Sequence, residues 1–219
     1  MHISRLSLKR DASSLGKVSA LLRDGLHDGR AHRLLWSLFQ ESPPDRRAFL
    51  FRSGNGRKPD GDFMTVSPAP PVDETNLWQI ETKPYNPCFD KGRALGFKLR
   101  LNPTVESKRK RYDLVAKIKH ELEKPDERAH TNGEVWEIAA KRWLEPRAER
   151  LGVSFLALRA DGYEVHKFEK GKDGAVSLAV LDASGVLKVE EAGRLKTALF
   201  TGIGKGRAWG CGLLLVKPV

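Results

Sequence analysis

The stretch from Thr201 to Pro218 constrains this chain most, because five glycines fall within it at Gly202, Gly204, Gly206, Gly210 and Gly212. Glycine is unfavourable inside a regular element, so such density means a backbone that adopts unusual dihedrals or comes close to a partner. Lys205 and Arg207 sit among the glycines. A cation beside a flexible backbone suits phosphate, since free N–H groups and the charge then point at one anion. Two nucleotide motifs fail. A P-loop needs Ser or Thr after its lysine, and Gly206 follows Lys205. The dinucleotide fingerprint would need glycine at Arg207 or Trp209, and it wants a helix afterwards, where Leu213 to Val216 reads as a strand.

Charge is the most informative part of the composition. Lys and Arg number 39 against 28 Asp and Glu, a net +11 over 219 residues. So basic a chain points to a polyanion partner, nucleic acid first. Apolar content of 40% supports a real core, and no run approaches the ~18 apolar residues of a membrane span. The N-terminus, Met-His-Ile-Ser-Arg-Leu-Ser-Leu, has no secretory apolar region. With only Cys88 and Cys211 a disulfide framework is excluded, and a reduced, cytoplasmic setting is expected. A single bridge between the two remains open.

The order of elements suggests two units. Residues 2–9 read as a strand, and Leu15, Val18, Leu21 and Leu22 as a helix from Ser13, interrupted by Asp24-Gly25 and Asp28-Gly29. Leu34, Leu35, Leu38 and Phe39 form a second helical piece ending before Pro43-Pro44, with His32 at its start. Strands are expected at Arg47 to Phe51, Phe63 to Val66 and Leu77 to Thr82, with a turn from Ser53 to Arg57 and a short helix before the last strand.

A second unit begins near Arg93 with strict alternation. Leu95, Phe97, Leu99 and Leu101 lie on one face, Lys98 and Arg100 on the other. A basic loop, Lys108-Arg109-Lys110-Arg111, follows, then a helix from Asn132 as N-cap through Trp143. Strands are expected at Val153 to Leu158, Glu164 to Phe168 and Val176 to Val189, with turns at Asp161-Gly162 and Asp173-Gly174. A helix from Glu190 to Leu199 leads into the glycine loop and the last strand. Each half thus reads βαββαβ, an α+β chain of two such units in tandem over residues 1–92 and 93–219.

The candidate sites are few. The six histidines and two cysteines form no metal-ligand spacing, so neither metal nor cofactor is expected. No G-x-S-x-G nucleophile elbow is present. His32 fits either a helix-start histidine or a metal-free general acid or base, since imidazole titrates near neutral pH. In a basic protein, RNA strand scission suits such a residue, because the substrate's own 2′-hydroxyl is the nucleophile. The four adjacent cations repel one another unless a polyanion is present, and such a loop could follow an RNA backbone. Trp36, Trp136 and Trp143 read as core, while Trp209 fits either core or stacking.

Three stretches together carry a resemblance. Ala31-His-Arg-Leu-Leu-Trp-Ser-Leu-Phe39 with Phe49-Leu-Phe51, Phe97-Lys-Leu-Arg-Leu-Asn-Pro-Thr104 ahead of the basic loop, and Gly202 to Leu214 resemble, in order, segments of the CasE (Cse3) family. These are CRISPR-associated endoribonucleases that process repeat RNA. The resemblance implies tandem ferredoxin-like domains and metal-independent cleavage at the base of the repeat hairpin. It also implies a 2′,3′-cyclic phosphate end, retention of the product crRNA after pre-crRNA is cut, and assembly with other Cascade subunits. It places catalysis at His32 and RNA contacts at Arg33, Lys108, Arg109, Lys110, Arg111, Lys205 and Arg207, with the five glycines packed near the RNA. One departure stands out: some members carry tyrosine three residues before the histidine, where this chain has Gly29. A non-catalytic hairpin-binding subunit of the same assembly is the alternative.

Overall fold

Strict alternation makes Ala94–Leu101 a strand with one buried and one open face, and the computed structural model bears this out. Leu95, Phe97, Leu99 and Leu101 are all buried, Lys98 is exposed, and Arg100 is tied to Asp182 by two hydrogen bonds of 3.0 and 2.8 Å. The structure describes residues 1–9, 11, 29–39, 49–53, 61–107, 110–122, 130–169 and 175–219. The expected helix from Ser13, the breaks at Asp24-Gly25 and Pro43-Pro44, most of the turn after Ser53, and Asp173-Gly174 lie outside those residues.

The described strands are β1 (His2–Leu8), β2 (Leu50–Ser53), β3 (Asp62–Ser67), β4 (Trp78–Pro84), β5 (Ala94–Leu101), β6 (Thr104–Ser107), β7 (Lys110–Asp113), β8 (Val153–Glu169), β9 (Ala175–Val189) and β10 (Leu214–Pro218). The helices are α1 (Gly29–Trp36), α2 (Leu114–Leu122), α3 (Asn132–Leu144), α4 (Ala148–Leu151) and α5 (Ala192–Thr201). One antiparallel sheet runs β2-β3-β1-β4 and a second runs β10-β5-β9-β8. Within the first, β1 is central and pairs with both β3 and β4; within the second, β5 and β9 are central. The chain is α+β, with two such antiparallel sheets in tandem.

The chain divides into two compact units. The first holds Met1–Pro87, Phe200–Gly202 and Arg207–Leu213; the second holds Cys88–Leu199, Ile203–Gly206 and Leu214–Val219. In the first, Leu6, Leu8, Phe63 and Trp78 from the sheet pack with Ala31 and Leu35 of α1 and with Leu38, Phe39, Phe49 and Phe51. In the second, α3 packs on β8 and on α2, burying Val135, Ala139, Trp143 and Leu144. No helix among the described residues is long and apolar enough to cross a membrane.

Several expectations change. The short helix expected before β4 is absent: Pro68, Pro70 and Pro71 disfavour it, and Asp73 instead accepts N–H groups of Thr75 and Trp78 at 2.9 and 2.7 Å. Asp161-Gly162 is no turn. β8 runs through it, with register irregularities at Phe155/Ala157 and Ala160/Gly162 absorbing the extra residues as bulges. The N-cap of α3 is Thr131 rather than Asn132, because Glu134 closes a reciprocal capping box with it. Cys88 and Cys211 are both free thiols, which removes the single bridge left open above.

Candidate active site

The glycine-rich segment is built on left-handed backbone. All five of its glycines have positive φ: 74° at Gly202, 78° at Gly204, 77° at Gly206, 72° at Gly210 and 90° at Gly212. At Gly204 space is as restrictive as torsion. A Cβ there would stand 2.7 Å from the Trp143 ring, which is itself buried and flanked by the Arg147 guanidinium 3.9 Å from the ring centroid. Gly204→Ala should therefore destabilise the protein by about 2–5 kcal/mol, combining left-handed strain with overpacking. Urea unfolding measures this, and a change within about 0.5 kcal/mol, the size of a neutral surface substitution, would contradict the packing.

His32 lies on α1, one turn before Trp36. His32 is the fourth residue of the described helix, in its first turn. Ala31 and Leu35 face the core of the first unit. His32 and Trp36, four residues apart, flank that face, and their ring centroids are 5.4 Å apart. Phe49 and Phe51 approach the imidazole at 5.7 and 6.1 Å. Both phenylalanines are buried, whereas His32 is partly exposed. The imidazole thus sits on an apolar floor with one side toward solvent, a setting in which it can exchange protons while its rotamer is restricted.

The turn Arg207–Trp209 packs against α1 and β2, and the Gly210 N–H donates to the Arg207 carbonyl at 3.3 Å. Arg207 therefore belongs to the unit that carries His32. Lys205 belongs to the second unit, where its Nζ is 3.5 Å from a Glu106 oxygen. Arg33 lies on α1. Trp209 is partly buried, as is Trp36, while Trp143 is core.

The described part of the expected basic loop, Lys110 and Arg111, is strand. β6 and β7 pair in a two-stranded sheet, with Glu106 opposite Arg111 and Ser107 opposite Lys110. Lys110, Arg111 and Tyr112 are exposed; Lys108 and Arg109 lie outside the described residues. Asp113 fixes the base of the hairpin. One of its oxygens accepts the Val115 and Ala116 N–H groups at the start of α2, and the other accepts the Tyr163 hydroxyl. Burial, and then this hydrogen bond, push the Tyr163 hydroxyl far above its ordinary pKa. Of the three tyrosines, Tyr85 alone belongs to the first unit, packed edge-on against Phe200 at 5.8 Å.

Sequence reasoning misses three features of the two units. Helix α2 is signalled by Leu114, Val115 and Ile118, all buried, but the neighbouring charges mask the period. The hairpin strands are four residues each and polar, below the length at which alternation speaks. Phe49 and Phe51 read as part of a strand, with no local sign that His32 is their neighbour. Among the described residues no group of three or more His, Cys, Asp or Glu is placed to hold a metal ion.

The model of a family described as CRISPR-associated protein matches residues 1–218. The CasE subunit of the CRISPR system Cascade of Escherichia coli strain K12 is 30% identical over 199 residues, covering 86% of this chain and 90% of that protein. The chain belongs to the CasE/Cse3 family of CRISPR-associated proteins. A second relative, the CRISPR-associated endoribonuclease Cse3 of Thermus thermophilus, is 27% identical over 212 residues, 92% of this chain and 87% of that protein. The fold is shared with a solved structure of the CRISPR endoribonuclease Cse3 bound to a 19-nucleotide RNA. That structure has a TM-score of 0.71 and 22% identity, with 100% of both chains covered. The expectation of tandem ferredoxin-like sheets in a CasE/Cse3 protein therefore holds.

Proposed function

We propose that this chain is a CRISPR repeat endoribonuclease that cuts precursor RNA at the base of the repeat hairpin without a metal. The 2′-hydroxyl oxygen of the substrate attacks the adjacent phosphorus as the bond to the leaving 5′-oxygen breaks. A 2′,3′-cyclic phosphate forms on one product and a 5′-hydroxyl on the other. The base removes the 2′-hydroxyl proton and the acid supplies one to the 5′-oxygen. His32 takes one of these roles. The observation that carries this reading is a partly exposed imidazole fixed on buried rings, in a chain related to a protein named an endoribonuclease.

The histidine lies within residues 1–92 and the basic hairpin within 93–219, while segments 200–202 and 207–213 of the second stretch pack with the first unit. Lys108, Arg109, Lys110 and Arg111 grip the stem by its phosphates, because A-form RNA offers shape and charge rather than base edges. Arg33, Lys205 and Arg207 add phosphate contacts. The protein keeps the cut hairpin and enters a Cascade assembly with other subunits, as the name of the Escherichia coli relative suggests. We place it in the cytoplasm, a reading supported by its two free thiols. The alternative, a subunit that binds the hairpin without cutting it, is favoured by Gly29 at the position where some relatives carry tyrosine.

Binding provides the direct test of the hairpin's part. Affinity for a repeat-hairpin RNA should fall as salt rises, and neutralising Lys108, Arg109, Lys110 and Arg111 together should flatten the log–log slope by about one unit per cation. An unchanged slope would remove β6 and β7 from the interface.

A further inference from the structure

One ring joins the glycine-rich segment to the histidine. Phe51, on β2, is buried, with its centroid 6.1 Å from His32, 6.0 Å from Phe49 and 6.3 Å from Phe63. Gly210 lies against the same ring. A Cβ built at Gly210 would stand 3.3 Å from Phe51 Cε2 and 3.7 Å from both Cδ2 and Cζ. The ring has little room to retreat, because Phe49 and Phe63 flank it and close-packed interiors transmit small displacements. The backbone at Gly210 is in turn held from outside: its N–H is bound to Arg207, and the Arg207–Trp209 turn packs on α1 and β2. All of these residues belong to the first unit.

The geometry points to Gly210 as a positioning residue for His32, acting through the Phe51 ring. A bare α-carbon at 210 lets the ring lie where it supports the imidazole, and a Cβ there requires the ring to give by a few tenths of an ångström. The inference rests on His32 as the acid or base of the proposed reaction. It differs from a simple need for glycine at a φ of 72°. Gly61 supplies the comparison: it has a φ of 88° in the same unit, and its Cβ would meet Leu8 Cδ1 at 3.1 Å. Leu8 shares the core with Phe51 but belongs to no ring contact of His32.

The test compares Gly210→Ala, Phe51→Leu and Gly61→Ala with the wild-type chain. One readout is the His32 imidazole resonance of RNA-free protein carrying labelled histidine, assigned by its loss in His32→Gln. The others are thermal stability, single-turnover cleavage of a repeat hairpin, and hairpin affinity. Gly210→Ala and Phe51→Leu should both move the resonance and slow cleavage by about tenfold to a hundredfold, with affinity within about threefold. Gly61→Ala should lower Tm and leave the resonance and rate in place. The proposal is overturned if Gly210→Ala lowers Tm alone, or if Gly61→Ala moves the resonance as far. Should Gly210→Ala fail to fold, Phe51→Leu decides, and an unmoved resonance removes the ring from the link. A moved resonance in a protein whose wild type cuts no hairpin would keep the link and defeat the endoribonuclease reading.

Discussion

His32→Ala should lower single-turnover cleavage of a repeat hairpin by about 10²- to 10⁴-fold, the usual contribution of a positioned acid or base. Hairpin affinity should stay within about threefold, because the phosphate contacts that dominate RNA affinity are assigned to cations elsewhere. The expectation follows from the placement of the imidazole. It lies at the edge of the aromatic cluster, partly exposed, 5.4 Å from Trp36 and 5.7 Å from Phe49, rather than among the fully buried residues of the core. Removing it leaves Phe49, Phe51 and Phe63 packed as before, so the melting temperature should change little. Lost binding, or a collapse in stability with the rate, would make His32 a structural residue. Retained cleavage would move the chemistry to another group of the first unit, Arg207 or Tyr85 among them.

The parts of the fold legible in the sequence are those whose signal is local. β5 alternates because one face is buried, and the glycine density from Gly202 to Gly212 does correspond to a run of positive φ. Charge and turn chemistry mislead where tertiary pairing decides. Asp161-Gly162 has the composition of a hairpin turn, yet β9 pairs across it from Val153 to Glu169 and converts it to a bulge. Lys110 and Arg111 read as loop because nothing in their own chemistry favours a strand. Their partners Ser107 and Glu106 provide the strand instead.

The candidate site divides along the same line. His32 and Trp36 share a helix face, so their proximity follows from four-residue spacing. Phe49 and Phe51 are adjacent to them only because β2 returns beside α1, and Gly210 only because the C-terminal segment packs there. Neither return is encoded within a window of a few residues. Gly204 shows the limit most clearly: its torsion is foreseeable, whereas the Trp143 ring that forbids a side chain is 61 positions earlier in the chain.

The most direct test of metal-free RNA scission uses two repeat hairpins in excess EDTA, one all-ribose and one with a single 2′-deoxy substitution at the nucleotide before the cut. The mechanism makes the 2′-hydroxyl the nucleophile, so removing one oxygen should abolish cleavage, whereas the phosphates that bind the protein are unchanged. Cleavage of the ribose hairpin with an intact deoxy hairpin, both bound with similar affinity, is the expected result. Cleavage of both would contradict attack by the 2′-hydroxyl. Loss of ribose cleavage in EDTA, restored by a divalent cation, would contradict metal independence, and tight binding with neither hairpin cut under any condition would leave a hairpin-binding subunit in place of the enzyme.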